Sequence, residues 1–239
     1  MIYAVPDIHG HARELDRALA LIEADGGAEA PVVFLGDLCD RGPDTKGVID
    51  RLIAGRAAGR DWTVLRGNHD QMFLDFLSDP NDPRAHTRSG ISWLHDRVGG
   101  IATLASYGVT ATERHPNGQA AARAIPEAHK AFLDSLPYYL ERAGKLFVHA
   151  GIHPRLPMTL QDPIDMMWIR ETFLDYTDPH PWLIVHGHTA LDAPQHFGNR
   201  IDLDGGAGYG RPLAVAVFDG PEEADCFLLG EGGRAPLIP

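Results

Sequence analysis

The sequence predicts an α/β fold built on a parallel sheet, and three observations carry that reading. The first third alternates short apolar runs with stretches of helical spacing, a β-α-β-α-β series that lays strands side by side under helices. Each of those strands runs directly into a polar segment rich in Asp, His, Asn and Gly. Further apolar runs then return in the second half, ending in the same way.

In order along the chain, Ile2–Val5 reads as a buried strand, and His11–Ala24 as a helix through Leu15, Leu19 and Ile22. Pro31–Leu35 is a β-branched strand, Asp44–Ala54 a helix with Val48, Ile49 and Leu52, and Trp62–Leu65 a third strand. Gln71–Leu77 begins another helix. Ser78–Arg88, with its Asp-Pro-Asn-Asp-Pro core at Asp79–Pro83, is turn chemistry and reads as a surface loop. Amphipathic helical stretches follow at Ile91–Tyr107 and Ala120–Leu136. Strands return at Tyr138–Glu141 and Leu146–His149. A helix over Ile164–Leu174 precedes strands at Trp182–Val185, Arg200–Leu203 and Leu213–Phe218. No repeat, low-complexity tract or linker interrupts the chain. It reads as a single domain over 1–239, with 78–136 as a helical cap inserted in it.

Composition excludes several classes. A formal charge of −12 and a pI of about 5.4 suit poorly a protein that grips nucleic acid by its phosphates, which needs a positive field. Two cysteines, Cys39 and Cys226, make neither a disulfide framework nor a cysteine-rich zinc module. The apolar runs fall short of the ~18–20 residues that a membrane span requires. Met1–Val5 leads at once into Pro6 and Asp7 with no basic region, so no signal peptide is expected and the expected location is cytoplasmic. Neither a nucleic-acid polymer nor a membrane is an expected partner. Thirteen histidines in 239 residues remain to be explained.

The strand ends account for part of them. The first strand leads into Asp7-Ile8-His9-Gly10, the second into Gly36-Asp37-Leu38-Cys39-Asp40-Arg41-Gly42, and the third into Gly67-Asn68-His69-Asp70. Later ones lead into His149-Ala150-Gly151 and His186-Gly187-His188-Thr189. Taken singly, each is an ordinary turn. Ligands of α/β sheets bind outside the carboxyl ends of strands, however, so such segments should meet in one crevice. Carboxylate, amide oxygen and imidazole without thiolate suit Mn²⁺, Fe²⁺ or Zn²⁺. One carboxylate can bridge two such ions about 3.5–4 Å apart, a clamp for displacement at phosphorus.

In order and spacing these segments resemble the calcineurin-like metallophosphoesterases of the phosphoprotein phosphatase type. The likeness is strongest to the compact bacterial and phage enzymes, with the symmetrical dinucleoside tetraphosphatases as relatives. It spans Asp7 to about Phe218. The resemblance implies a four-layer sandwich, two mixed β-sheets flanked by helices. It implies two divalent ions, Mn²⁺ first, with Asp7 and His9 on one, Asp37 bridging, and Asn68, His149 and His188 on the other. It favours His188 over His186 as the ligand. It also implies hydrolysis of phosphoserine or phosphothreonine in proteins, or of small phosphorylated substrates, with a dinucleoside polyphosphate as the alternative.

The remaining motif residues fit that chemistry. Arg41 can fork two phosphoryl oxygens while Asn68 offers an amide, and Arg170 matches the second phosphate-binding arginine of the phage-type enzymes. His69 is the natural general acid, oriented by Asp40. No motif residue is a protein nucleophile, so the expected reaction is direct attack by a metal-bridging hydroxide, with inversion and no phosphoenzyme. Pro6 stands where the family has glycine, and Asp70, where protein phosphatases have Glu, is typical of the tetraphosphatases. Asp202-x-Asp204-Gly205-Gly206 reads as a strand end and turn beside the site, and Cys39 as a packed thiol. His11 and His153 flank motif segments, with a groove role open for both. His86, His95, His115, His129, His180 and His196 are expected at the surface.

Overall fold

A computed structural model describes residues 1–220 and 225–239. In its first sheet β1 (Ile2–Val5), β2 (Val32–Phe34) and β3 (Trp62–Val64) run parallel in adjacent positions. The crossovers are α1 (Ala12–Gly26) and α2 (Thr45–Ala57). The other edge is antiparallel: β9 (Ala216–Phe218) pairs with β1, then β10 (Cys226–Gly230) and β11 (Gly233–Pro236) follow as a meander. The second sheet has the order β4 (Tyr139–Arg142), β5 (Lys145–Val148), β6 (Leu183–His186), β8 (Arg200–Asp202), β7 (Gln195–His196). Its centre, β5-β6-β8, is parallel and its edges are antiparallel.

Strand periodicity sorts the side chains into layers. Ile2, Ala4, Val33, Leu35, Ala216 and Phe218 face Phe147, Val185 and Ile201 across the gap between the sheets. The opposite face of the first sheet, with Tyr3, Val5, Val32 and Phe34, packs against Leu15, Ile22, Val48 and Leu52 of α1 and α2. The outer face of the second sheet, with Leu146, Val148 and Ile184, packs on Met166, Ile169 and Phe173. The result is helices, sheet, sheet, helices, two mixed sheets flanked on both sides.

The caps place the site loops. Asp44 accepts from Gly47 N at 2.8 Å and starts α2 immediately after the second motif. Asp70 accepts from Gly67 N at 3.0 Å and opens α3 (Asn68–Ser78), which puts Asn68 and His69 in its first turn.

Three long helices of the sequence reading are shorter or split. Within Ile91–Tyr107 only α4 (Gly100–Ser106) is helical; residues 91–99 are turns, and Gly99 has φ +98°. Its Cα packs on the backbone of Arg41, where a Cβ would lie 2.5 Å from the amide nitrogen, so only glycine fits. Ala120–Leu136 divides into α5 (Gly118–Ala124) and α6 (Glu127–Asp134) at Ile125-Pro126, because a residue before proline leaves the helical region. Ile164–Leu174 divides into α7 (Pro163–Trp168) and α8 (Glu171–Leu174), with Ile169 extended and Arg170 at φ −132°, ψ −102°. β7, β10 and β11 have no counterpart in the sequence reading. Segment 78–136 buries Trp93, Leu104, Ala121 and Leu133 in the same cluster as α1 to α3.

Candidate metal centre

The loops after β1 and β2 are knitted together by their backbones. Ile8 N and His9 N both donate to Asp37 O (3.1 and 2.8 Å), Gly10 N to Leu38 O, Gly42 N to His9 O and Asp44 N to Gly10 O. Such bonding holds His9, Asp37, Asp40 and Arg41 at positive φ, a conformation rare without glycine and concentrated at functional sites. Asp70 fastens the loop after β3 to the same frame. Its carboxylate accepts from Leu38 N (2.9 Å), Gly67 N (3.0 Å) and Cys39 Sγ (3.4 Å).

Asp7, His9, Asp37, Asn68 and His149 are at most 2 % exposed, so none of them is a solvated surface group. Two sets of ligand atoms converge within 4.8 Å: His9, Asp37 and His69, and Asp37, His149 and His188. Asp7 lies outside both sets. Its two oxygens each accept from His188 N at 3.1 Å, which ties the first strand end to the last motif.

The donor set fits divalent cations on three observations. His149 Nδ1 lies 2.9 Å from Leu35 O and donates there, so its Nε2 is a bare lone pair. That lone pair faces two oxygens, Asn68 Oδ1 at 3.0 Å and Asp37 Oδ1 at 3.4 Å, three acceptors in want of a cation. His188 Nε2 is buried with no hydrogen-bond partner among the described residues. Likewise His9 donates Nδ1–H to Cys39 O (2.8 Å) and turns Nε2 inward, where it takes an N–H from Arg41 at 2.8 Å.

Electrostatics agree. Burial, then the charges of Asp204 and other neighbours, pushes Asp7 well above the usual carboxylate range; burial and the charge of Asp70 do the same to Asp37. Burial also holds His9, His69 and His188 well below the usual imidazole range, in the neutral form that ligates metals. Asp40 is pushed up to about 7 by burial, opposed by hydrogen bonds from Thr103 and Trp93.

Beside the cluster, His69 Nδ1 lies 2.6 Å from Asp40 Oδ2. Arg41 reaches His69 Nε2 at 3.4 Å and stacks over the Tyr209 ring at 4.7 Å. Arg170 is exposed, bonded through Nη1 to Thr189 Oγ1 at 3.2 Å. All three line a groove of about 1030 Å³ whose floor includes His9, Asp37, Asn68 and His188. The 87–98 segment with Arg88 and Arg97 and the 165–172 segment with Trp168 and Arg170 form walls of the groove. An Arg88–Asp165 ion pair at 3.6 Å joins the walls.

Several sequence readings resolve. His153 lines the groove, whereas His11 lines a separate smaller pocket with Glu14 and Arg17. His186 is buried outside both ligand sets, against Phe173 and Arg200, and pushed down to about 3 by burial. His129 and His196, expected at the surface, are buried; His129 closes a bond chain from Tyr107 to Asp50. Cys39 is a buried thiol whose pKa is raised by burial and by the carboxylates around it. Trp93, Thr103 and Tyr209 belong to the site's surroundings without a motif to announce them, whereas Asp204 lines the groove, beside the site as its strand-end turn predicts.

The family profile of the calcineurin-like phosphoesterases matches residues 1–216, and the chain belongs to that family, a metal-dependent phosphoesterase hydrolase. Serine/threonine-protein phosphatase 1 of Salmonella typhimurium is 30 % identical over 227 residues, 90 % of either chain. The symmetrical bis(5′-nucleosyl)-tetraphosphatase of Janthinobacterium sp. is 29 % identical over 154 residues, 64 % of this chain and 44 % of its own. A crystal structure described as a putative diadenosine tetraphosphatase superposes with a TM-score of 0.61 at 22 % identity, covering 99 % of this chain and 93 % of that one. A point mutant of a cold-active protein tyrosine phosphatase also gives 0.61 at 18 % identity, over 99 % of this chain and 80 % of that one.

Proposed function

We propose that this protein is a dinuclear metal-dependent phosphatase that hydrolyses phosphoserine and phosphothreonine in proteins. The observation that carries the reading is the convergence of buried acceptors at one groove floor beside the Asp40–His69 pair. The full-length likeness to a serine/threonine phosphatase supports the substrate class. Asp7, His9 and Asp37 would hold one ion and Asp37, Asn68, His149 and His188 the other, with Mn²⁺ favoured over Fe²⁺ and Zn²⁺. Bound there, divalent ions supply Lewis acidity toward water and toward the phosphoryl group.

The chain's own groups do the rest. Arg41 and Arg170 receive the phosphoryl oxygens, and Asn68 adds an amide donor. As water attacks phosphorus, the bond to the leaving oxygen breaks with its electron pair on that oxygen. His69 Nε2 then gives that oxygen a proton, and the attacking water releases one to solvent. Burial keeps the resting His69 neutral, so its second proton comes from solvent, and Asp40, as an anion on Nδ1, stabilises the doubly protonated imidazole that performs this transfer.

A second reading, symmetrical hydrolysis of a dinucleoside tetraphosphate, is favoured by the tetraphosphatase relatives and by Arg88 and Arg97, which line the groove along with Arg41 and Arg170. Steady-state kinetics with Mn²⁺ on a phosphoserine peptide and on diadenosine tetraphosphate separates the two. A higher kcat/KM on the peptide is expected; a preference for the dinucleotide reverses the assignment.

A further inference from the structure

Asp40 and Arg41 are consecutive residues at φ +76° and +68°, and one stretch of the 78–136 segment holds both. Asp40 N donates to Thr103 Oγ1 at 2.8 Å, and Thr103 Oγ1 returns its proton to Asp40 Oδ1 at 2.7 Å. Trp93 Nε1–H donates to Asp40 Oδ2 at 2.7 Å. Arg41 N donates to Gly99 O at 3.2 Å. Thr45 Oγ1, 3.1 Å away, completes the hydroxyl's surroundings.

With Asp40 ionised, this network has one self-consistent arrangement of protons. An indole N–H can only donate, and a threonine hydroxyl has a single proton, already placed on Oδ1. Both carboxylate oxygens are therefore acceptors, and the carboxylate is fully buried with no solvent to compete. The remaining donor at Oδ2 is His69 Nδ1–H at 2.6 Å. With Nδ1 so committed, the second ring nitrogen, Nε2, is the one that meets the groove.

We propose that Trp93 and Thr103 are positioning residues for proton delivery: they fix the Asp40 carboxylate on His69 Nδ1 and thereby aim His69 Nε2 at the leaving group. The proposal rests on the reading of Asp40–His69 as the proton-delivering pair. It extends that pair into the segment whose Arg97 and Val98 line the groove, so substrate contacts and acid alignment share one stretch of chain.

Leaving-group dependence tests it, because protonation matters little when the leaving oxygen is already a weak base. Thr103→Val, Thr103→Ser, Trp93→Phe and His69→Asn are assayed with Mn²⁺ on phenyl phosphate and on 2,4-dinitrophenyl phosphate. Thr103→Val and Trp93→Phe are expected to lower kcat on phenyl phosphate by about tenfold or more, with KM nearly unchanged and less than about threefold loss on the dinitrophenyl ester. Thr103→Ser, which keeps the hydroxyl, is expected to restore kcat. In the metal-free protein, the Nδ1 proton signal absent from His69→Asn should be sharp in the parent and in Thr103→Ser, and broadened in Thr103→Val. Equal losses on both esters, or an unchanged Nδ1 signal in Thr103→Val, overturn the proposal. A His69→Asn loss that is itself independent of the leaving group overturns instead the reading of the pair. Should Trp93→Phe fail to fold, since Trp93 packs between Phe73 and Phe76, the two Thr103 variants decide the matter alone.

Discussion

Asp70 shows what one methylene can mean at a site it does not touch. It is fully buried, absent from the groove, and spends its carboxylate on two backbone amides and a thiol. Its role is that of a tie between the loops after β2 and β3. Asp70→Asn sets an amide NH₂ against Gly67 N–H and leaves a buried donor unpaired, at a cost of about 1–3 kcal/mol. Urea unfolding should show that loss, while the ratio of peptide to dinucleotide hydrolysis stays as in the parent. A changed ratio would make Asp70 a specificity residue after all. His69 is the contrasting residue, proposed to act on the proton, and asparagine can keep a side-chain donor toward Asp40 in its place. His69→Asn is expected to lower kcat on phenyl phosphate by about 10²–10⁴-fold, the range of general acid catalysis, with an unshifted melting temperature. The strand-end residues were legible because motif spacing is local in sequence. Trp93 and Thr103 were not, because their importance is a contact with Asp40 across 53 and 63 residues.

At the scale of elements, legibility followed local constraint. The strands and helices of the first third agree closely with the pattern reading, since β1 and β2 are buried on both faces and the helices α1 and α2 each bury one stripe on the sheet. The stretch Ile91–Tyr107 misleads because its apolar spacing serves Trp93 and Leu94, buried from turns, and because Gly99 answers to Arg41 rather than to a helix. The two-residue β7 and the edge strand β11, with its Gly and Pro, offer no pattern to read. A bond chain through the buried His129 clasps α6 to α2, from Tyr107 to His129 to the exposed Asp50. Burial lowers the pKa of His129 in spite of the Asp50 charge, so the unfolded chain binds the proton more readily. Stability is then lost as pH falls through the unfolded value of about 6.5. His129→Gln should narrow the drop in melting temperature between pH 7.5 and pH 5.5; an equal or larger drop would assign that loss to other groups.

For the whole molecule, the groove floor is a concentration of acids and neutral imidazoles that burial makes uncomfortable. A cation that binds only the folded chain relieves this and stabilises by mass action, about 2.7 kcal/mol at a hundredfold excess over Kd. At about 2–4 °C per kcal/mol for a chain of this size, Mn²⁺ should raise the melting temperature by roughly 5–10 °C over the protein in chelator. Chelation should abolish phosphatase activity in parallel, and His188→Ala should shrink the thermal shift. No shift with Mn²⁺, Fe²⁺ or Zn²⁺ would speak against a metal at this floor. Among the described residues, no helix is long and apolar enough to cross a membrane.

The two ligand sets differ in where they sit along the chain. Asp7, His9 and Asp37, proposed for one ion, all belong to loops of the first sheet and are synthesised within the first third of the protein. The other set joins Asp37 to His149 and His188, which belong to strand ends of the second sheet. On a growing chain the first trio can assemble early, whereas the second waits until both sheets have closed on each other. A cation held by that later set would act as a rivet across the seam of the sandwich, added only once the molecule is finished. Amides of β5 and β6 should therefore exchange faster on chelation than those of β1 and β2, so that metal loss is felt first along the seam.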